Sequence, residues 1–198
     1  MMSTSSRIVA VTAALATAVV VSSCSKTEGT SQHATATSTT SAMVAAHNAD
    51  DVTFAQMMIP HHQQAVELAA VAPEHSTNQA LLTLAATIST EQQPEINAMK
   101  ALLLQWDVDP NAMDDHGGHG AGMQGMVDDA TMAKLKSLNG PQFDTLWLQA
   151  MIGHHQGAIE MAKAEIAKGQ SVDMIAMAKT MVTAQQAEIN QMKQMLGG

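Results

Sequence analysis

Met58-Ile59-Pro60-His61-His62-Gln63-Gln64-Ala65-Val66-Glu67-Leu68-Ala69 recurs as Met151-Ile152-Gly153-His154-His155-Gln156-Gly157-Ala158-Ile159-Glu160-Met161-Ala162, a shift of 93 residues from His61 to His154. A second pair keeps that register: Gln92-Gln93-Pro94-Glu95-Ile96-Asn97-Ala98-Met99-Lys100 against Gln185-Gln186-Ala187-Glu188-Ile189-Asn190-Gln191-Met192-Lys193. Asp51 with Asp144 and Phe54 with Trp147 fall into it too. One shift shared by separate segments is the mark of an internal duplication, so each half is a copy of one unit.

That unit reads as a helical hairpin. Aromatic residues make up only 2% of the chain, and Ala, Met, Leu and Gln are abundant, side chains that lose little rotamer freedom in a helix. In the first copy, one helix is expected over residues 48–71, stopped by Pro73, and a second from a Ser76 N-cap to about residue 106. Pro94 lies inside the second helix, where its missing N–H should kink or split it. In the second copy, Asn139-Gly140-Pro141 closes a short helix and opens a long one to about Lys168; Gly169 stops it, and Ser171 caps a last helix ending near Gly197. Two such hairpins predict an all-α, antiparallel four-helix bundle over residues 48–198, with an insert at 107–127.

At about 100° per residue, Asp51, Phe54, Met58, His62, Ala65 and Ala69 share one stripe, with His61 at its edge and Glu67 opposite. Ile88, Gln92, Glu95, Met99 and Leu103 share another. The faces that must be buried therefore carry polar residues, and folding the hairpins gathers His61, His62, His154, His155, Gln92, Gln185, Glu95 and Glu188 near one pseudo-twofold axis. A polar group taken from water without a partner costs several kcal/mol, roughly 2 to 7. Either these side chains hydrogen-bond one another and set the bundle's register, or they hold a metal, since imidazole nitrogen, carboxylate oxygen and the thioethers of Met58 and Met151 are all ligands. Adjacent histidines are about 100° apart, so one member of each pair should point inward less than the other.

The insert Met113-Asp114-Asp115-His116-Gly117-Gly118-His119-Gly120-Ala121-Gly122-Met123-Gln124-Gly125-Met126 has no periodic apolar face. Its Met113, His116, His119, Met123 and Met126 stand among glycines that let ligands converge, the composition of a metal-binding tract. Thioethers select Cu(I), so copper is the leading metal. Met99, Met161, Met174, Met177, Met181, Met192 and Met195 recur at helical spacing and read as core fillers.

The N-terminus reads as an address. Residues 8–21 are an uncharged run behind Arg7, too short to span a bilayer and suited to the apolar core of a signal peptide. Val21-Ser22-Ser23-Cys24 resembles a bacterial lipobox, which makes residues 1–23 a lipoprotein signal peptide and Cys24 the lipidated residue that ties the exported protein to the outer face of the membrane. Residues 24–47, rich in Ser, Thr and Ala, cannot offset their ordering entropy and read as a tether, with His33 and His47 exposed to solvent. Cys24 is the sole cysteine, so the domain has neither disulfide nor thiolate ligand. Lys and Arg total 9 against 18 Asp and Glu, and Arg7 is the only arginine, which excludes nucleic acid as a partner.

With both Met-Ile-x-His-His-Gln motifs and both Gln-Gln-x-Glu-Ile-x-x-Met elements present, residues 48–196 resemble the bacterial secreted family known as domain of unknown function three-hundred-and-five, whose members are ferritin-like bundles and include CopM-type copper-binding proteins. The resemblance implies an extracytoplasmic, copper-associated bundle, and it carries over onto Met58, His61, His62, Met151, His154 and His155. Pro60 and Pro94 depart from the symmetry of the copies. No core-face Glu is followed by His three residues on, as a ferritin-type di-iron site requires.

Three functions are compatible with these residues. The first is a membrane-tethered protein that sequesters copper or exchanges it with a transporter or chaperone, alone or as a homo-oligomer. The second is a metal-dependent oxidase built on the bundle His and Glu, and the third a structural envelope bundle whose polar residues satisfy one another.

Overall fold

The computed structural model describes residues 46–111 and 124–197. Residues 1–45, on which the signal-peptide, lipidation and most of the tether expectations fall, with Cys24 and His33 among them, and Met113, His116, His119 and Met123 of the insert lie outside the described residues. Five helices follow in order: α1 (Ala49–His75), α2 (Gln79–Gln105), the short α3 (Asp129–Leu135), α4 (Pro141–Lys168) and α5 (Val172–Met195). The long helices pair as antiparallel hairpins, α1 with α2 and α4 with α5, and the hairpins meet mainly along α1 and α4. This is the all-α, ferritin-like four-helix bundle of two duplicated hairpins, with α3 riding on α4. No described helix is long and apolar enough to cross a membrane.

Three local expectations are corrected. Pro73 does not stop α1, which continues to His75. Tertiary partners satisfy the last turn: His75 Nδ1 lies 2.8 Å from the Leu138 carbonyl, the His75 carbonyl accepts from Gly140 N–H at 2.8 Å, and its ring stacks on Phe143. The N-cap of α2 is Asn78, whose side chain accepts from Ala80 and Leu81 N–H, while the Ser76 hydroxyl accepts from Asn78 N–H within the turn. Pro94 does not split α2. It sits on the exposed face, as does Thr90, whose carbonyl loses its helical donor and can turn to water.

Two apolar clusters fill the bundle. One includes Leu68, Leu81, Leu84, Ile88, Phe143, Trp147, Met151 and Met192; the other includes Phe54, Met58, Ile96, Met99, Leu103, Met174 and Met181. Along α1, α2 and α5 the change from one cluster to the other falls at the polar residues, His61-His62, Gln92 to Glu95, and Gln185 to Glu188, and in α4 it follows His154-His155, with Ile159 still in the first cluster. The polar layer is thus walled off by hydrocarbon on both sides, which raises the cost of any group in it that lacks a partner.

Candidate metal centre

All four histidines of the doubled motif have no solvent exposure. The expectation that one of each pair would turn away does not hold, because α1 packs against both α4 and α2, so its buried arc is wide enough for both. His61 and His154 face each other across the axis with ring centroids 3.7 Å apart and planes tilted by 38°. His62 and His155 turn instead towards the outer helices. His62 Nε2 lies 2.8 Å from Glu95 Oε2, and His155 Nε2 lies 2.7 Å from Glu188 Oε2, at the same separation of 33 residues in each copy. Met58 and Met151, one turn before these histidines, are also fully buried.

The hydrogen bonds specify tautomers. A carboxylate accepts only, so Nε2 of His62 and of His155 carries the N–H of each pair, and Nδ1 is the nitrogen turned away from the glutamate. His61 follows the same rule, since its Nε2 lies 3.2 Å from the backbone carbonyl of Gln124. Nδ1 of His61, His62 and His155 is buried with no hydrogen-bond partner, and so are both ring nitrogens of His154. Burial, then repulsion from the neighbouring His62, lowers the His61 pKa from 6.5 to about 3, against a raising contribution from the Gln124 carbonyl. Burial, then the neighbouring imidazoles of His61, His155 and His62, likewise push His154 well below the ordinary histidine value, against a raising contribution from the His61 backbone. Both rings are neutral at physiological pH, the form that ligates metals.

Gln92 and Gln185 join this layer, with both amide atoms of Gln92 and Oε1 of Gln185 buried without partners. Glu188 retains a free acceptor in Oε1, and the Glu95 side chain is 21% exposed. Among the described residues, no three His, Cys, Asp or Glu side chains converge on one point as a metal site. The donors that do come together are imidazoles in pairs with a buried thioether near each, a set suited to a soft cation of low coordination number rather than to a hard one demanding six oxygens.

Met126 is part-buried within a strap of residues 124–127 that meets the centre at His61 and is held by Gln64. The sequence does not mark Gln64 and Gln124 as site residues, although the mismatch of Gln64 with Gly157, like that of Pro60 with Gly153, is visible where the two motifs are aligned. His47, expected in solvent, is half-buried and stacks on Trp106 at 4.5 Å, because α1 begins at residue 49 and brings it against the end of α2.

A second buried polar site lies at the far end of α1. Asp51 accepts from the N–H groups of Asn48, Gln170 and Ser171, tying the start of α1 to the α4–α5 turn. Burial works to raise its pKa, but those amides and Glu165 hold it below the usual carboxylate value. Glu165, 2% exposed, is pushed up to about 8 by burial and then by the adjacent Asp51 carboxylate. Sequence reasoning missed Glu165, whose position has Ala72 as its counterpart in the first copy.

Residues 51–196 match the family described as Domain of unknown function (DUF305). The chain belongs to the DUF305 family. Similar solved structures include a DUF305 protein from Streptomyces coelicolor, 33% identical, covering 75% of this chain and 92% of that one with a TM-score of 0.70. A DUF305 fragment from Deinococcus radiodurans is 32% identical over 76% of this chain and 97% of its own, with a TM-score of 0.67. CopM in its Cu(I)-bound form is 30% identical over 73% of this chain and 93% of that one, with a TM-score of 0.62. CopM has also been solved with Cu(II) and with silver. No curated protein is similar enough to this DUF305 chain to count as a match.

Proposed function

We propose that this protein binds copper, as Cu(I), outside the cytoplasm and holds it or passes it on without turnover. The observation that carries this reading is the set of buried ring nitrogens with nothing to bond, foremost Nδ1 of His61, His62 and His155. A network meant only to satisfy itself would leave none of these groups orphaned. In this reading Nδ1 of the imidazoles and the thioethers of Met58 and Met151 take the ion. Glu95 and Glu188 hold the rings of His62 and His155 in the tautomer that presents Nδ1. The insert ligands Met113, His116, His119, Met123 and Met126 form a second store.

The likeness to CopM, solved with Cu(I), Cu(II) and silver, supports copper. The export signal, together with a Streptomyces relative described as secreted, supports an extracytoplasmic location. Lipidation at Cys24 then anchors the domain to the membrane through the tether of residues 24–47. A transporter or chaperone at the same membrane would be the exchange partner.

Cu(I) titration of the full chain against a competing chelator tests the reading. Saturable uptake is expected. His61→Ala with His154→Ala should remove one class of site while the insert sites remain. Unchanged binding in that double variant would move copper out of the bundle, and no saturable uptake in the wild type would end the proposal.

A further inference from the structure

The two copies of the motif differ where they should match. Gln64 in α1 has Gly157 as its counterpart in α4, and both positions are used by the same piece of chain, the strap of residues 124–127. On one side, the Gln64 side chain clamps Val127 twice, donating to its carbonyl and accepting from its N–H, both at 2.8 Å. On the other side, a Cβ at position 157 would overlap the Gln124 carbonyl, and one on Gly125 would lie 2.6 Å from the Gly153 carbonyl oxygen. Gly125 also has a φ of +89°, a conformation that favours glycine. One copy supplies the clamp and the other the clearance, so the strap is built into the fold. Between them, the Gln124 carbonyl takes the Nε2–H of His61.

We infer that the strap is a latch coupled to the histidine centre: metal on His61 Nδ1 tightens the strap, and an intact strap in turn tightens metal binding. This rests on the copper reading above. The carbonyl of Gln124 can only accept, so it commits the His61 proton to Nε2 and the lone pair to Nδ1 before any metal arrives. A cation on Nδ1 withdraws charge from the ring and makes Nε2–H a stronger donor, which shortens the bond to Gln124. Coupling between binding events is reciprocal, so whatever loosens the strap must weaken the metal by the same factor. Neither Gln64 nor Gly157 is a ligand, and α1 and α4 remain intact when they change.

Hydrogen exchange of the Val127 amide, followed in the full chain with and without Ag(I) as a redox-inert probe for Cu(I), reads the latch directly. Histidine ring resonances report occupancy of the centre. The expected result is slower Val127 exchange on saturation, together with Ag(I) affinity weakened about fivefold or more in both Gln64→Ala and Gly157→Ala. Gly157→Ala forces the strap aside while favouring the helix that carries it, so the two variants perturb the latch by unrelated means. If the ring resonances shift but Val127 exchange is unchanged or faster, or if both variants bind Ag(I) as the wild type does, the latch is wrong and the copper reading stands. If the ring resonances of wild-type protein never respond, both fall.

Discussion

Glu165 and Gly169 explain each other. Gly169 has an ordinary φ of −62°, so its backbone does not require glycine. A Cβ there would overlap Glu165 Oε1 and sit 2.8 Å from Asp51 Oδ1, so the missing side chain makes room for two buried carboxyls. The Glu165 pKa of about 8 means that the native state binds a proton which the unfolded chain, near 4.5, releases. Stability from this group is complete below pH 4.5 and is lost as pH rises towards 8, at up to about 1.4 kcal/mol per pH unit. Asp51 works in the opposite direction at acid pH, since its pKa is held low. Urea unfolding at pH 5 and pH 9 should show the wild type losing more stability across that interval than Glu165→Gln, which keeps a donor but cannot ionise. Equal losses would mean that Glu165 is ionised throughout. The stripe containing Asp51 was legible in the sequence. Glu165 was not, because its neutrality depends on a neighbour more than a hundred residues away, as the Asp51 to Ser171 bond does.

At the scale of elements, periodicity located all four long helices, while their ends depended on which groups could satisfy a terminal carbonyl or N–H. Ser76 and Asn78 are both good caps by residue type, and sequence alone favoured the wrong one. The duplication held the answer: Ser171 caps α5, and its counterpart in the first copy is Asn78. Asn78→Ala should cost about 1 kcal/mol of stability through loss of two accepted N–H bonds, and Ser76→Ala should cost less, since the Ser76 hydroxyl accepts one bond in the turn. Denaturant midpoints of the two variants check this, and the reverse ranking would return the cap to Ser76. Pro73 lies inside α1 rather than at its end for a related reason. A proline stops a helix when nothing else holds the next turn, and here His75, Leu138, Gly140 and Phe143 hold it.

For the whole molecule, the placement of a polar layer between two apolar clusters decides what the protein can gain from a ligand. Which residues belong to the layer could be read from two motifs and one shift. Which atoms are left over could not, because that depends on how His61 meets Gln124 and how each Glu reaches the histidine of its own hairpin. Orphaned nitrogens in a dry layer destabilise the folded state until something fills them, whereas the unfolded chain keeps them in water. A cation that they hold therefore favours the folded state. At a free Ag(I) concentration 100 times Kd the gain is about 2.7 kcal/mol, which for a domain of this size corresponds to a rise in Tm of roughly 5 to 10 °C. Thermal unfolding of the full chain monitored by circular dichroism, with and without Ag(I), measures it. Replacing His61 and His154 together by Ala should remove most of the rise and leave only what the insert supplies. A bundle whose histidines and glutamates merely satisfied one another would melt at the same temperature with the ion as without it, and that result would return these residues to a purely structural role.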